Sequence, residues 1–240
     1  MTTKAMIFSA GIGSRLKPIT NNIPKALVEV SGKTLLQINI EKLIGAGVTD
    51  IVVNVHHFAE QIKSYLEQNK NFGVSIKISD ESDLLIDTGG GLKKAAPLFG
   101  NCESIIIQNV DIYSTINYHK LIEYHYSTNS LATLAIKNRT SSRHLLFDEN
   151  MELGGWRNNK TDEEIIIKPE KELIPFAFSG IHVIKPELLK LLPNEKAYAI
   201  IPIYLELAKN NLLSGYLHND DTWFDIGTPQ KLKSFINYLE

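Results

Sequence analysis

The chain has 240 residues, 43 % hydrophobic and 22 % charged, the balance of an ordinary globular protein with one substantial core. Its 25 lysines and arginines against 27 acids give a net charge of -2, without the basic surplus of a general nucleic-acid binder. A single cysteine, Cys102, excludes an internal disulfide and a thiolate zinc cage, and no apolar run nears the ~18 residues of a bilayer span.

The short apolar start at residues 5–10 is too brief for a signal-peptide core, so a cytoplasmic protein with no membrane partner is expected. Residues 4–9 read as a buried strand ended by glycine. The stretch 34–47 reads as a helix with Leu35, Ile38, Leu43 and Ile44 on one side, stopped near Gly47. A strand at 50–55, a helix at 59–68, a strand at 74–79, a helix at 90–99 and a strand at 104–111 follow. This βαβα rhythm predicts a mainly parallel sheet with helices on both faces. From about residue 131 the pattern turns strand-rich, with runs at 131–137, 144–148, 163–168 and 176–184. Helices are expected at 186–192 and 200–209, strands at 212–217 and 223–227, and a last helix at 229–238. No repeat or flexible linker interrupts the chain, so one α/β domain over 1–240 is predicted, with a mixed second half.

Three motifs in this frame are decoys. Gly11 and Gly13 begin a dinucleotide fingerprint, but Leu16 stands where its third glycine belongs, and Pro18 follows. The "SGKT" at 31–34 lacks the earlier glycine of a phosphate loop, having Leu27 there, and reads as a turn before a helix. His56 and His57, adjacent at a strand end, point to opposite sides and make a poor metal pair.

What remains is a constellation of strand ends. Ligands of open α/β sheets bind at the carboxyl ends of strands, where the loop "AGIGSR" follows the first strand. Its glycines permit close backbone approach, Arg15 supplies a planar phosphate-matching fork, and Pro18 and Pro24 limit the freedom of the segment that delivers Lys25. The alternative for this loop is a turn with two solvated cations. Asp111 ends another apolar strand, and Asp225 lies in the mostly apolar "WFDIGT". Together the two carboxylates suit a magnesium ion shared with substrate phosphates, although either alone also suits a cap or turn.

The ordered set "GIGSRLKPIT…IPKAL", "VSGKTLLQINIEKLIGAGVTDIVVNVHH", "TGGGLKKA", "NVD", "FSGIHVIKPELL" and "WFDIGTPQKL" resembles the sugar-1-phosphate nucleotidylyltransferases over nearly the whole chain. The resemblance implies a Rossmann-like, GT-A-like nucleotidyltransferase fold with a nucleotide-binding half at 1–130 and a sugar-binding half at 131–240. It implies the short form of the family, without the C-terminal β-helix of longer members. The likeness is to forms joining UTP to N-acetylmuramic acid 1-phosphate, with those joining GTP to mannose or heptose 1-phosphate close behind. It carries over Arg15, Lys25 and Asp111 as catalytic, and Asp111 with Asp225 as ligands of Mg²⁺. Ala10, Gly11, Gly13, Ser14, Thr88 and Gly89 fall on the nucleotide side, and Asn109, Gly155, Lys168 and Gly180 on the sugar side. Trp156, Arg157, His56, His57 and Arg143 are either further sugar contacts or surface and packing residues. A homodimer is compatible with the family.

The chain departs from the pattern at Ala26 and Val110, which replace a proline and a glycine, and at Ile167, which replaces the glutamate before Lys168. The expected reaction is NTP plus sugar 1-phosphate giving nucleotide-sugar and pyrophosphate. A glycosyltransferase is the rival enzyme, but "DIY" at 111–113 lacks its second aspartate. A non-catalytic nucleotide-sugar sensor of the same fold is the rival from another class.

Overall fold

Burial alternates along the first strand in a way that sets the architecture. β1 (Thr3–Phe8) sends Ala5 and Ile7 into one apolar cluster and Met6 and Phe8 into another. A strand apolar on both sides needs helical cover on both sides, the arrangement of parallel sheets. The computed structural model, which describes residues 2–239, supplies that cover.

After β1 come the small hairpin β2 (Glu29–Val30) and β3 (Lys33–Thr34), then α1 (Leu35–Gly45), β4 (Asp50–Val55) and α2 (Ala59–Gln68). β5 (Ser75–Asp80), α3 (Asp87–Phe99), β6 (Ser104–Asn109), β7 (Ile112–Ser114) and α4 (Tyr118–Thr128) complete the first half. The second half holds β8 (Ala132–Lys137), β9 (Arg143–Phe147), β10 (Leu153–Asn158), β11 (Glu163–Ile166) and β12 (Ile174–Ile184). It ends with α5 (Leu188–Leu191), α6 (Ile200–Leu207), β13 (Leu213–Leu217), β14 (Trp223–Asp225) and α7 (Pro229–Leu239).

β5, β4, β1 and β6 run in parallel in that order. The long β12 then lies antiparallel to β6 through Ile181–Ile184 and to β9 through Ile174–Phe176, with β8 pairing along it too. β9, β10 and β11 are joined by short loops and so pair antiparallel, because a parallel partner needs a long crossover. The result is a single-domain α/β fold with a mixed ten-stranded sheet flanked by helices. Among the described residues no helix is long and apolar enough to cross a membrane.

Several details differ from the sequence reading, which gives no strand where β7 and β10 form and a longer helix than α5. The buried side of α1 is Leu35, Leu36, Asn39, Ile40 and Leu43, while Ile38 and Ile44 are half-buried. Asn39 turns the helix this way: its amide donates to the carbonyls of Leu35 (2.8 Å) and Val110 (2.9 Å). α4 is absent from the sequence reading, because its buried stripe is only Tyr118, Leu121 and His125; the Asn117 side chain caps it by accepting from the Lys120 amide. α3 begins at Asp87, three residues before the expected start at 90, so Gly89 too lies within its first turn. The "SGKT" segment is the turn of the β2–β3 hairpin, with Thr34 as N-cap of α1, as the sequence indicates.

Three histidines are buried, and burial holds each imidazole below its ordinary value of 6.5: His125 to about 4, His182 and His218 to about 3. Neither ring nitrogen of His182 has a hydrogen-bond partner among the described residues. The unfolded chain takes up protons below pH 6.5 while these rings stay neutral, so stability present above that pH is lost on acidification. We predict a loss of roughly 2 kcal/mol per imidazole between pH 7 and pH 5. Urea midpoints at the two pH values check this; equal midpoints contradict it.

Candidate active site

A cleft of about 620 Å³ opens at the carboxyl ends of β1, β4, β5 and β6. Ala10 and Gly11 form one side of it, Asn109, Val110 and Asp111 another, and Thr88 and Tyr198 a third. Lys25 completes the lining. Its placement depends on Gly13, whose φ of 69° favours glycine and whose added Cβ would stand 3.2 Å from both Lys25 Cβ and Thr20 Cγ2. Thr20 Oγ1 donates to the Gly13 carbonyl at 2.8 Å, and fully buried Leu16 anchors the turn that begins at Ser14. Gly13 therefore shapes the loop that presents Lys25.

The Lys25 ammonium pairs with Asp111 at 2.5 Å, both side chains being largely buried. Asp111 sits in a turn fixed from several sides. Val110 donates its amide to the Phe8 carbonyl, Asn39 holds the Val110 carbonyl, and Gln108 Nε2 donates to the Ile112 carbonyl at 3.1 Å. β14 pairs antiparallel with β7, setting Asp225 opposite Ile112, and the Ile226 amide donates to the Asp111 carbonyl at 2.8 Å. Asp225 thus pairs with Ile112, the residue directly after Asp111, although 114 positions separate the two aspartates in the sequence. Asp225 is itself engaged by Lys231. A Cβ on Gly227 would lie 2.7 Å from Asp225 Oδ1 and 3.0 Å from Arg15 Nη2, so this glycine is where the exposed Arg15 meets the second carboxylate.

The donor set is two carboxylates, each balanced by a lysine. Among the described residues no group of three or more His, Cys, Asp or Glu is arranged to cage a metal. That chemistry fits Mg²⁺, which takes oxygen ligands, keeps several waters and relies on substrate phosphates for the rest. It does not fit zinc.

Thr88 lines the cleft while its hydroxyl accepts from the Ile200 amide at 3.0 Å. Gly89 lies beneath the cleft wall: its amide donates to the Tyr198 carbonyl at 2.9 Å, and an added Cβ would stand 2.4 Å from the Tyr198 ring. We predict that Gly89→Ala pushes this strap outward, costing about 1–3 kcal/mol as overpacking does and raising the KM for nucleotide. Unfolding midpoints and KM unchanged together contradict that role. Gly180, with φ of 73°, abuts Asn109; a Cβ there would stand 2.9 Å from Asn109 Nδ2.

Of the predicted residues, Gly13, Ser14, Arg15, Gly89, Gly180 and Asp225 do not themselves line the cleft, and two sugar-side residues, Gly155 and Lys168, are engaged elsewhere. Gly155 is buried in β10, where a Cβ would stand 2.6 Å from the Ile165 carbonyl, so it serves close strand approach. Lys168 donates to Glu152 Oε2 at 2.7 Å and does not line the cleft. Arg157 is held by Glu164, His56 Nδ1 by the Glu81 carbonyl, and His57 stacks on Phe58. The departure at Ala26 is fully buried, and Val110 does add its side chain to the cleft wall.

Sequence reasoning misses a buried relay under the loop. The Ser9 amide donates to Asn54 Oδ1 at 2.7 Å, Ser9 Oγ donates to the Asn54 carbonyl, and Asn54 Nδ2 donates to Glu81 Oε1 at 2.8 Å. It ties the ends of β1, β4 and β5 together and so fixes where Ala10 and Gly11 begin. Burial pushes the Glu81 carboxyl up, partly offset by Asn54. The only signal for it is a polar residue closing each apolar strand, which turns share.

Strand-end glycine loop, lysine and paired aspartates on this sheet define a nucleotide-handling α/β enzyme. The chain belongs to the nucleotidyl transferase family, whose profile matches residues 4–240. It is 30 % identical over 233 residues to the N-acetylmuramate alpha-1-phosphate uridylyltransferase of Caulobacter vibrioides, covering 94 % of this chain and 92 % of that one. The enzyme of the same name from Neisseria meningitidis serogroup B is 29 % identical, over 96 % and 95 %. The mannose-1-phosphate guanyltransferase of Hypocrea jecorina is 29 % identical over 96 % of this chain but 62 % of its own length. Among solved structures, a putative glucose-1-phosphate thymidylyltransferase from Bacillus anthracis shares the fold with a TM-score of 0.81 at 20 % identity, over 99 % and 95 % of the two chains.

Proposed function

We propose that this family member transfers a nucleotidyl group from a nucleoside triphosphate to a sugar 1-phosphate. UTP and N-acetylmuramic acid 1-phosphate are the pair for which its full-length relatives are named. The observation that carries the reading is the Lys25–Asp111 pair at the cleft wall, beside the Ala10–Gly11 backbone. The first half of the chain supplies the nucleotide side and the second half the sugar side.

A non-bridging oxygen of the acceptor phosphate attacks the α-phosphorus, the bond from α-phosphorus to the bridging oxygen breaks, and pyrophosphate leaves with that electron pair. The acceptor phosphate is already ionised near neutral pH, so no protein base is required. The obstacle is charge. Lys25 at the cleft and the exposed Arg15 are the cations that would screen the two polyanions and stabilise charge on the phosphoryl oxygens. Asp111 and Asp225 would hold Mg²⁺, which neutralises phosphate charge when bound. On substrate binding Lys25 would turn from Asp111 to phosphate, leaving that carboxylate able to hold the cation.

A matrix of UTP, GTP, CTP, ATP and dTTP against N-acetylmuramic acid, mannose, heptose and glucose 1-phosphates, read by pyrophosphate release, tests this. Highest turnover is expected with UTP and N-acetylmuramic acid 1-phosphate. GTP with mannose or heptose 1-phosphate replaces that pair if it wins. Ligand binding with no turnover anywhere would make the chain a sensor.

A further inference from the structure

A second cavity, of about 490 Å³, lies beside the cleft, within the size of small-molecule sites. Its floor is one face of the β9–β10–β11 ladder and its roof includes Ile201, Pro202 and Leu205 of α6. Strand register sorts the floor into two rungs. Leu145, Trp156 and Ile165 stand opposite one another in the first; Arg143, Asn158 and Glu163 form the second. Trp156 and Asn158 are two residues apart on β10, so both rungs face the same side. One rung is apolar and the next is polar.

Two stretches of chain link the cavity to the cleft. Phe178 lines the cavity two residues before Gly180, which abuts Asn109 of the cleft. Ala199 lines the cavity, and its neighbour Tyr198 lines the cleft. Through these two stretches of chain, a sugar held against Asn109 and Gly180 would extend toward this cavity.

Its polar groups are unequal in freedom. His144 has both ring nitrogens engaged, Nδ1 with Asn159 Nδ2 at 2.8 Å and Nε2 with the Arg139 carbonyl at 3.2 Å. Arg157, on the same ladder, is neutralised by Glu164. Arg143 has no ion pair and no side-chain hydrogen bond among the described residues, and its guanidinium stands ready for a planar anion. Glu163 closes the far end of the same rung, across Asn158, which leaves an anion one favourable place, beside Arg143.

We propose that this cavity receives the distinguishing substituent of the acceptor sugar, and that the substituent is a carboxylate on a short apolar stem. The lactyl ether of N-acetylmuramic acid has that form. Trp156 and Leu145 pack the stem, and Arg143 takes the carboxylate. The inference rests on the acceptor being a sugar 1-phosphate in the adjoining cleft.

The test compares N-acetylmuramic acid 1-phosphate with N-acetylglucosamine 1-phosphate, the same sugar without the lactyl group. Pyrophosphate release and calorimetric titration are both read for wild type, Arg143→Gln and Arg143→Lys. Wild type is expected to favour the lactyl sugar about tenfold or more in kcat/KM, and R143Q to bring that ratio close to one, the scale of one charge-assisted contact. R143K recovers part of it. A ratio unmoved by R143Q overturns the proposal, as does a wild type that prefers the sugar without the lactyl group. Absence of turnover with every acceptor defeats the nucleotidyl-transfer reading instead, and the titration ratio then decides the cavity by itself.

Discussion

Asp111→Asn and Asp225→Asn are each expected to lower pyrophosphate release by about 10²-fold or more, the scale of losing a key electrostatic stabiliser. The two substitutions act at one end of the β7–β14 pair, so their effects combine far less than additively if they serve one ion. The isosteric change keeps the hydrogen bond from the Ile226 amide to the Asp111 backbone carbonyl, so the fold should persist, with a stability cost in Asp111→Asn, which leaves the largely buried Lys25 unpaired. Asp111→Asn also releases Lys25, whereas Asp225→Asn releases only the half-exposed Lys231. A Mg²⁺ titration separates the two consequences. Both variants should need more metal for half-maximal rate, and Lys231→Ala should not. Near-normal rates in both asparagine variants refute the carboxylate assignment.

Lys25→Ala is the second large effect, again on the order of 10²-fold in turnover. The ammonium is delivered by a segment whose geometry is over-determined: Gly13 packs on the lysine stem, and Ala26 beside it is fully buried. Removing the side chain also leaves the largely buried Asp111 without its partner. Breaking such a pair costs stability as well as rate, so unfolding midpoints belong in the same experiment. Lys25→Arg keeps the charge but not the compact ammonium, and should restore stability more than turnover. Unchanged steady-state kinetics in Lys25→Ala would remove its phosphate role.

Much of the fold and of the site is legible in the amino-acid sequence. The first-half strands announce themselves because burial on both faces makes them continuous apolar runs, and the loop after β1 carries its chemistry in consecutive residues. The aspartates are legible as strand-end carboxylates, but only β7–β14 pairing makes them neighbours. Other features are hidden for physical reasons. The glycines at 89–91 look like a flexible turn, yet they are needed because Tyr198, Lys196 and Glu81 approach α3 too closely for a Cβ. Glu81 resembles any acid of the polar stretch around it, and only burial against Asn54 distinguishes it. Trp156 and Arg143 stand thirteen positions apart, and the register of β9 with β10 is what puts them on one floor. Gly155 and Lys168 are motif positions that strand packing and an ion pair hold away from the cleft lining.

In the proposed mechanism the two lysine–carboxylate pairs would exchange partners with polyanion and cation when substrate arrives. The most direct measurement is product analysis of wild-type enzyme given Mg²⁺, UTP or GTP, and an acceptor sugar 1-phosphate. Pyrophosphate and nucleotide-sugar in equal amounts, neither formed without the acceptor, is the predicted result. Nucleoside diphosphate in place of pyrophosphate, or pyrophosphate released at the same rate without any acceptor, would contradict it.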